Sequence, residues 1–412
     1  MTEKDFIRER ALTFSLIIVM ILRGHKLSLQ NTVNKVFESL GRIWDVVSNS
    51  AYSQARKKLK AEIFIELNEV AVEGYYEEYN KDQTVKLWRT KRLLGIDGTY
   101  INVPDTEETR KEFSIQRNQN KGKERVQAMG SVLYDLRNDI GINAELGKIQ
   151  GEKNFIFTSH IKKCKQGDCI VLDRAYADYE VMAMLVSKDI DFCIRFPRKT
   201  FAPLRDFWEN QQTQAVIKLK ANRGNKKFVK ENFLSQELTV RFIKVELENG
   251  EIEVLGTSFL DEQLYPTNEF KQVYAWRWCQ ETYYNRIKNI FELERFSATS
   301  VLSIKQDFFG VIFLATLESI LNQPVQQSFD SKSLSCKNPI KTNRSMSYIS
   351  LLDHCVDLLL SPHSSSELLP KLEFLFSSNP SRHPIGRKFD RNKSRNFPAK
   401  LFFHKYVKRI IS

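Results

Sequence analysis

Apolar residues recur at helical spacing from residue 6 to 22 and again from 31 to 40, where Gly41 stops the run, so both segments are predicted to be helices. Ser48, Asn49 and Ser50 then offer capping side chains to a third, basic helix over 51–60. Helix, Gly-containing turn and basic helix together give the outline of a helix-turn-helix, with Arg56, Lys57 and Lys60 as candidate DNA contacts. The same cations also suit an ordinary solvated helix face. A polar string at 80–84 marks a boundary, after which the texture changes.

Short apolar runs separated by turn residues predict strands over 88–103, 126–134 and 138–149, with Asn138 and Asp139 suited to a turn. A polar helix at 155–165, a buried strand at 169–172, a helix at 178–187 and a strand at 191–196 follow. Asp178 fits the cap of that second helix. Three antiparallel strands followed by alternating helix and strand form an α/β pattern. Residues 197–262 interrupt it with a β-rich insertion: strands at 216–218, 238–247 and 251–257, and a basic loop at 222–230. Trp208 in this insertion suits either its core or stacking on an extruded base. A helix over 274–288 and an apolar one over 308–321 resume the α/β texture, and 326–347 is rich enough in Ser, Asn and Lys to be a mobile linker. The domain boundaries expected from these shifts are 1–80, 81–196, 197–265, 266–330 and 331–412.

A chain of 412 residues exceeds one core, and its net charge of +13 points to a polyanionic partner, nucleic acid before membrane. The last stretch, 381–412, carries ten Lys or Arg against one acid, as a disordered tail or a phosphate-gripping segment. The apolar run 11–22 falls short of the ~20 residues of a membrane span and is bracketed by Arg8, Arg10 and Arg23. It reads as a buried helix without a secretory cleavage site. Cys164 and Cys169 have no second Cys or His pair nearby to complete a zinc set, so the six cysteines read as reduced thiols of a cytoplasmic protein. His160, His354 and His404 show no partner spacing.

The segment 274–288, YAWRWCQETYYNRIK, puts Tyr274, Arg277, Glu281 and Lys288 within roughly 60° on a helix, with Trp276, Cys279, Tyr283, Ile287 and Ile290 opposite. Two more carboxylates stand out. Asp97 interrupts the strand-like run 93–103, where Asp is disfavoured, and Asp173 closes the buried run 169–172 at the carboxyl end of a strand. Each has a plainer reading, Asp97 as a turn with Gly98 and Asp173 as a partner of Arg174. Three carboxylates from separate elements repel one another unless a cation joins them, and oxygen-only ligands are what Mg²⁺ or Mn²⁺ prefer.

Asp-Gly-Thr on a first strand, Asp-Arg-x-Tyr after a later one (Asp173, Arg174, Tyr176), a β-rich insertion and then Tyr-x2-Arg-x3-Glu-x6-Lys resemble the DDE transposases of bacterial insertion sequences, more narrowly the IS-four family. The resemblance spans about residues 5–325, including the segment 50–59, which is similar to one near the family's amino end. It implies an RNase H-like catalytic core of α/β class, interrupted by the insertion and preceded by an all-α DNA-binding domain. It further implies Asp97, Asp173 and Glu281 as ligands of two Mg²⁺ or Mn²⁺ ions. Tyr274, Arg277 and Lys288 would hold phosphates of a transposon end, with Arg174 and Tyr176 as further DNA contacts.

The expected function is a transposase that binds the terminal inverted repeats of its element, cuts there by metal-dependent phosphoryl transfer and joins the ends to target DNA. The expected partners are double-stranded DNA, as repeats and as target, and a second protomer in the DNA complex. The expected setting is the bacterial nucleoid, with no membrane. Rival readings are a catalytically silent DNA-binding regulator and a stand-alone RNase H-class nuclease.

Overall fold

Thr13, Ser28 and Ser48 each accept a hydrogen bond from a backbone N–H three residues on, and these caps fix where the first three helices begin. The structure is a computed structural model that describes residues 11–24, 28–82, 84–117, 124–198, 200–247, 250–360 and 365–382. Helices α1 (Phe14–Arg23), α2 (Leu29–Ser39), α3 (Asn49–Arg56) and α4 (Glu62–Lys81) come first. Then follow β1 (Leu93–Asn102), α5 (Glu107–Glu112), β2 (Ser114–Arg117), β3 (Glu124–Asp135), β4 (Ile140–Gly147), α6 (Glu152–Thr158), β5 (Cys169–Leu172), α7 (Tyr179–Ser187) and β6 (Asp191–Phe196). The insertion contributes α8 (Ala202–Glu209), β7 (Gln214–Lys220), α9 (Lys226–Glu231), β8 (Glu237–Glu246) and β9 (Ile252–Thr257). The chain continues through α10 (Phe270–Ala275), α11 (Trp278–Asn289), α12 (Val301–Ser333), β10 (Ile340–Lys341), α13 (Arg344–Leu360), α14 (Ser365–Ser377) and β11 (Ser381–Arg382).

The chain gathers into two compact units, one of residues 1–71, 101–127 and 285–412 and one of 72–100 and 128–284. These divisions differ from the five segments expected along the sequence, because long-range pairing brings distant stretches together.

In the first unit α1 is a core helix: Leu16 through Leu22 are all buried, and it packs against α12 and α13. α12 is long and apolar enough to cross a membrane, but most of its apolar window is buried inside the protein. The stretch 326–347, expected as a mobile linker, instead completes α12, forms β10 and starts α13; Phe329 within it and Tyr348 just after it are buried anchors. His404 and almost all of the basic stretch 381–412 lie outside the described residues.

Two features remove the helix-turn-helix outline. The connection from α2 to α3 runs through residues 40–48 and holds a 3-10 turn, longer than the three or four residues of that motif. Arg56, expected to read DNA, is buried at 5% exposure. Its guanidinium pairs with Asp307 at 2.8 Å, donates to Gln306 Oε1 at 2.7 Å and to the Ser303 carbonyl, and also bonds Ser297. Arg56 is therefore a core ion pair, whereas Lys57 and Lys60 are exposed. The third helix also ends at Arg56 rather than Lys60, and α4 begins at Glu62.

The second unit is built on one mixed sheet in the order β3-β1-β5-β6-β9-β8-β7, with β4 pairing β3. β1, β5 and β6 are parallel neighbours, and β3 with β4, β6 with β9, β9 with β8 and β8 with β7 are antiparallel. The turn at Asn138 and Asp139 joins β3 to β4 as expected, with Asp139 at φ 62°. The insertion's strands extend this same sheet, since β9 pairs with β6. Its basic stretch, expected as a loop, contains α9, and Trp208 lies half-buried on α8 rather than in a strand. His160 is a fully buried core residue between Ser131 and Asn143, and burial lowers its pKa to about 3, so it is neutral. All six cysteines are free thiols.

Arg56→Ala takes away the cation paired with Asp307 in the core and leaves Asp307 only its bonds from Ser297, so it is expected to cost about 3–5 kcal/mol in urea denaturation. Lys57→Ala, on the solvent side, is expected to change stability by no more than about 0.5 kcal/mol. An equal, small effect of both would remove the core role assigned to Arg56.

Candidate active site

Parallel pairing sets the first two carboxylates side by side. Leu93, Leu94 and Gly95 of β1 register with Cys169, Ile170 and Val171 of β5. The same offset carried two residues further puts Asp97, midway along β1, opposite Asp173, just past the carboxyl end of β5, and residues opposite each other on parallel strands share a face. The Asp97 Oδ1 accepts the Gly98 N–H at 2.9 Å. Asp173 caps the 3-10 turn Arg174–Tyr176 and accepts the Arg174 N–H at 2.7 Å.

The third carboxylate arrives on α11, which lies close over β1. At Gly95 a Cβ would stand 2.4 Å from Gln280 Oε1 and 2.9 Å from Leu136 Cδ2, so any larger residue would have to push these side chains aside. Gln280 also donates to the Val132 carbonyl at 2.7 Å, and Tyr284 donates to the Asp97 carbonyl at 2.5 Å. Tyr283 is buried against Tyr134, with ring centroids 4.6 Å apart. Glu281, between these anchors, keeps a side-chain exposure of 38%.

The signature segment is two helices, not the single one expected. Arg277, Cys279 and Gln280 donate to carbonyls three residues back rather than four, tightening the turn between α10 and α11. Residues three apart eclipse in such a turn, and Arg277 accordingly lies over the Tyr274 ring at 5.6 Å. Trp278, at the start of α11, is 44% exposed and offers a second ring, 5.1 Å from the same guanidinium.

Arg277 is the electrostatic centre of the group. It is buried at 5% exposure, bonds Glu281 Oε1 at 2.8 Å and stands 3.9 Å from Asp97 Oδ2. Burial disfavours its charge, but Tyr274, Glu281 and Asp173 outweigh that and raise its pKa. Tyr274, itself buried, donates to Asp173 Oδ1 at 3.2 Å. All three expected carboxylates thus surround one guanidinium, directly or through Tyr274. Among the described residues no set of three or more His, Cys, Asp or Glu closes around a single point as metal ligands would. The donor set nonetheless suits a hard divalent cation, being all oxygen and drawn from three rigid elements.

Of the other expected contacts, Arg174 is exposed. Tyr176 is not: it is buried at 1% exposure and donates to Glu152 Oε1 at 2.6 Å, so its hydroxyl positions a neighbour instead of facing DNA. Lys288 belongs to the first unit, 3.8 Å from Glu294, and burial lowers its pKa. Asp178 caps α7 by accepting the Glu180 N–H, as expected.

Sequence reasoning missed Glu152. At Gly98 a Cβ would stand 2.4 Å from Glu152 Oε1, so this fourth carboxylate lies directly beside the Asp97 backbone. Nothing in its local sequence marks it. The one available signal was Gly98, whose lack of a side chain leaves the space that Glu152 fills.

Burial pushes the Asp97 carboxyl up to about 6, and Glu152 and Glu281 add to the rise against the Gly98 N–H and Arg277. A raised folded-state pKa means stability present at low pH and lost as pH climbs through about 6. The cost of the charged form is at most about 3 kcal/mol. Asp97→Asn, which stays neutral, is expected to melt higher than wild type at pH 8 in EDTA and to lose that advantage near pH 4. A difference in Tm that does not vary with pH would contradict the buried-carboxylate assignment.

The family described as transposase DDE domain matches residues 88–317, more than half of the chain. The transposase InsG for insertion sequence element IS4 of Escherichia coli (strain K12) is 23% identical over 313 residues, covering 73% of this chain and 67% of that protein. Among solved structures, similarity is found to a piggyBac transposase synaptic complex with hairpin DNA, at 11% identity, with 94% of this chain and 78% of that chain covered and a TM-score of 0.42. It is also found to a Mos1 transposase paired-end complex with left transposon end, at 14% identity, with 68% and 82% covered and a TM-score of 0.18. With its family model matching more than half of the sequence, the chain belongs to the transposase DDE domain family and is a DDE transposase of the IS4 kind.

Proposed function

We propose that Asp97, Asp173 and Glu281 are the catalytic carboxylates of an RNase H-like core that cuts DNA at the terminal inverted repeats of an insertion sequence and joins the freed ends to target DNA. The observation that carries this reading is the register that sets Asp97 beside Asp173, with Glu281 tied to the same Arg277. The three carboxylates would hold two Mg²⁺ or Mn²⁺ ions. Bound there, divalent cations supply Lewis acidity for the attacking and leaving oxygens of an in-line displacement at phosphorus.

The chain's own residues do the rest. Arg277 neutralises the carboxylates while they wait, which lowers the repulsion that would otherwise spread them. Once that compensation is no longer needed, the same guanidinium, stacked between the Tyr274 and Trp278 rings, is placed to grip a phosphate with two parallel N–H bonds. Arg174, exposed beside Asp173, and Lys288 add charge for the DNA backbone. Tyr176 and Glu152 hold the Asp173 turn against the Asp97 strand. Lys57 and Lys60 offer phosphate contacts on the helical part, without Arg56. Pairing two ends of one element calls for two protomers, so the active form is a homodimer on DNA, working at the nucleoid of a bacterial cell.

Glu281→Gln and Asp173→Asn are expected to reduce Mg²⁺-dependent nicking of a supercoiled plasmid carrying the element's ends by at least about a thousandfold while leaving binding to the ends within about threefold of wild type. Cutting by either variant at the wild-type rate would remove the assignment. A wild-type protein that binds the ends but never nicks them would favour the silent regulator.

A further inference from the structure

Six cations within thirteen residues, Lys218, Lys220, Arg223, Lys226, Lys227 and Lys230, are all exposed, and no acid lies among them. Lys218 and Lys220 flank the buried Leu219 on β7, so they project from one face, as side chains two apart on a strand must. Arg223 is in the following turn, and α9 carries the other three. The nearest acids compensate weakly: Glu237 stands 3.4 Å and 3.8 Å from Lys218 and Lys220, and Glu231 3.8 Å from Lys227, all on exposed side chains.

At the end of α9 an aromatic residue occupies an unusual position. Phe233 has φ 55° and is 97% exposed. The left-handed conformation that ends a helix favours Gly or Asn, and an apolar ring held wholly in water gains nothing from folding. Strain combined with exposure at one residue points to a use outside the folded chain.

This basic arm is fixed to the elements of the active site at two points. The Phe228 ring of α9 packs on Phe157 of α6 with centroids 5.1 Å apart, and α6 begins at Glu152, beside Asp97. Tyr179, six residues after Asp173, donates to the Ser235 carbonyl at 3.0 Å, two residues past Phe233. A basic surface with a projecting aromatic ring is thus anchored to α6, whose Glu152 lies beside Asp97, and to α7, which follows Asp173.

We infer that the β7–α9 arm is a sequence-independent binding surface for duplex DNA, in which the six cations contact phosphates and Phe233 packs its ring against the DNA. This deepens the reading of Asp97, Asp173 and Glu281 as the cutting site and rests on it for its purpose, which is to hold the duplex flanking the scissile phosphate. Charge complementarity selects the partner: backbone phosphates along a duplex present anions at a spacing that a short strand and helix with six cations span.

The test is fluorescence anisotropy with a labelled duplex of arbitrary sequence, in EDTA so that no strand is cut, across about 50 to about 200 mM salt. Lys226→Ala/Lys227→Ala/Lys230→Ala is expected to lower the slope of log K against log salt by about 2 to 3 and to weaken binding at physiological salt by at least about tenfold. A control with the same charge change elsewhere in this unit, Lys162→Ala/Lys165→Ala/Lys188→Ala, is expected to leave the slope within about 1 of wild type. Phe233→Gly relieves the backbone strain, so its Tm should rise by about 1–3 °C while its DNA affinity falls severalfold.

Wild-type slope and affinity in the α9 triple variant would overturn the proposal, as would equal losses in the control. Unchanged binding by Phe233→Gly would overturn the role of the ring. Lysines on an edge strand also keep it from pairing with another copy. New self-association of the α9 variant by light scattering, with DNA binding intact, would assign the charges to that task instead. Failure of the wild type to nick DNA in Mg²⁺ sinks the catalytic assignment alone, because binding in EDTA is read independently of it.

Discussion

The guanidinium of Arg277 is the interaction on which the site's arrangement depends. Three carboxylates brought to one end of a sheet repel each other, and inside a protein that repulsion is far stronger than in water. Arg277 offsets it by bonding Glu281, approaching Asp97 and sharing Asp173's surroundings through Tyr274. Its own burial is made tolerable by the same acids and by the rings of Tyr274 and Trp278.

Each carboxylate reaches that point for a backbone reason. The β1 and β5 register aligns two of them, and β5 ends just before Asp173, where its chain turns away and leaves room beside Asp97 on the longer β1. Close approach of α11 at Gly95 delivers the third, and Gly98 admits Glu152 behind the first. Replacing either glycine would push an anchoring side chain aside before it touched any chemistry. The 3-10 tightening between α10 and α11 then sets Tyr274 more directly beneath Arg277 than the roughly 60° offset of a uniform α-helix would. The central geometry thus follows from pairing and close packing more than from side-chain preference.

Much of this was legible along the chain because the informative elements are strongly patterned. The buried runs at 169–172 and 191–196 match β5 and β6 in their bounds, the helix expected to end at Ser187 does so, and Asp97 stands out because strands disfavour Asp. What escaped was decided by contacts distant in sequence. Arg56 looked like a DNA contact because charge on a short helix is usually solvated, and only Asp307, some 250 positions later, shows it to be core. Tyr176 was read from its motif, but its hydroxyl is claimed by Glu152. The polar composition of 326–347 concealed Phe329, whose burial, with that of Tyr348 just after the stretch, sustains helices there. Long-range partners of this kind leave no local periodicity to find.

If Arg277 holds the ground that a divalent cation would otherwise take, removing its charge should favour the ion. Isothermal titration of Mn²⁺ into Arg277→Gln and wild type, both without DNA, measures this directly. The account predicts binding tighter by about tenfold in Arg277→Gln, because the carboxylates lose their resident cation and keep their repulsion. Affinity equal to or weaker than wild type would contradict it, since the guanidinium would then not be what the three carboxylates gather around.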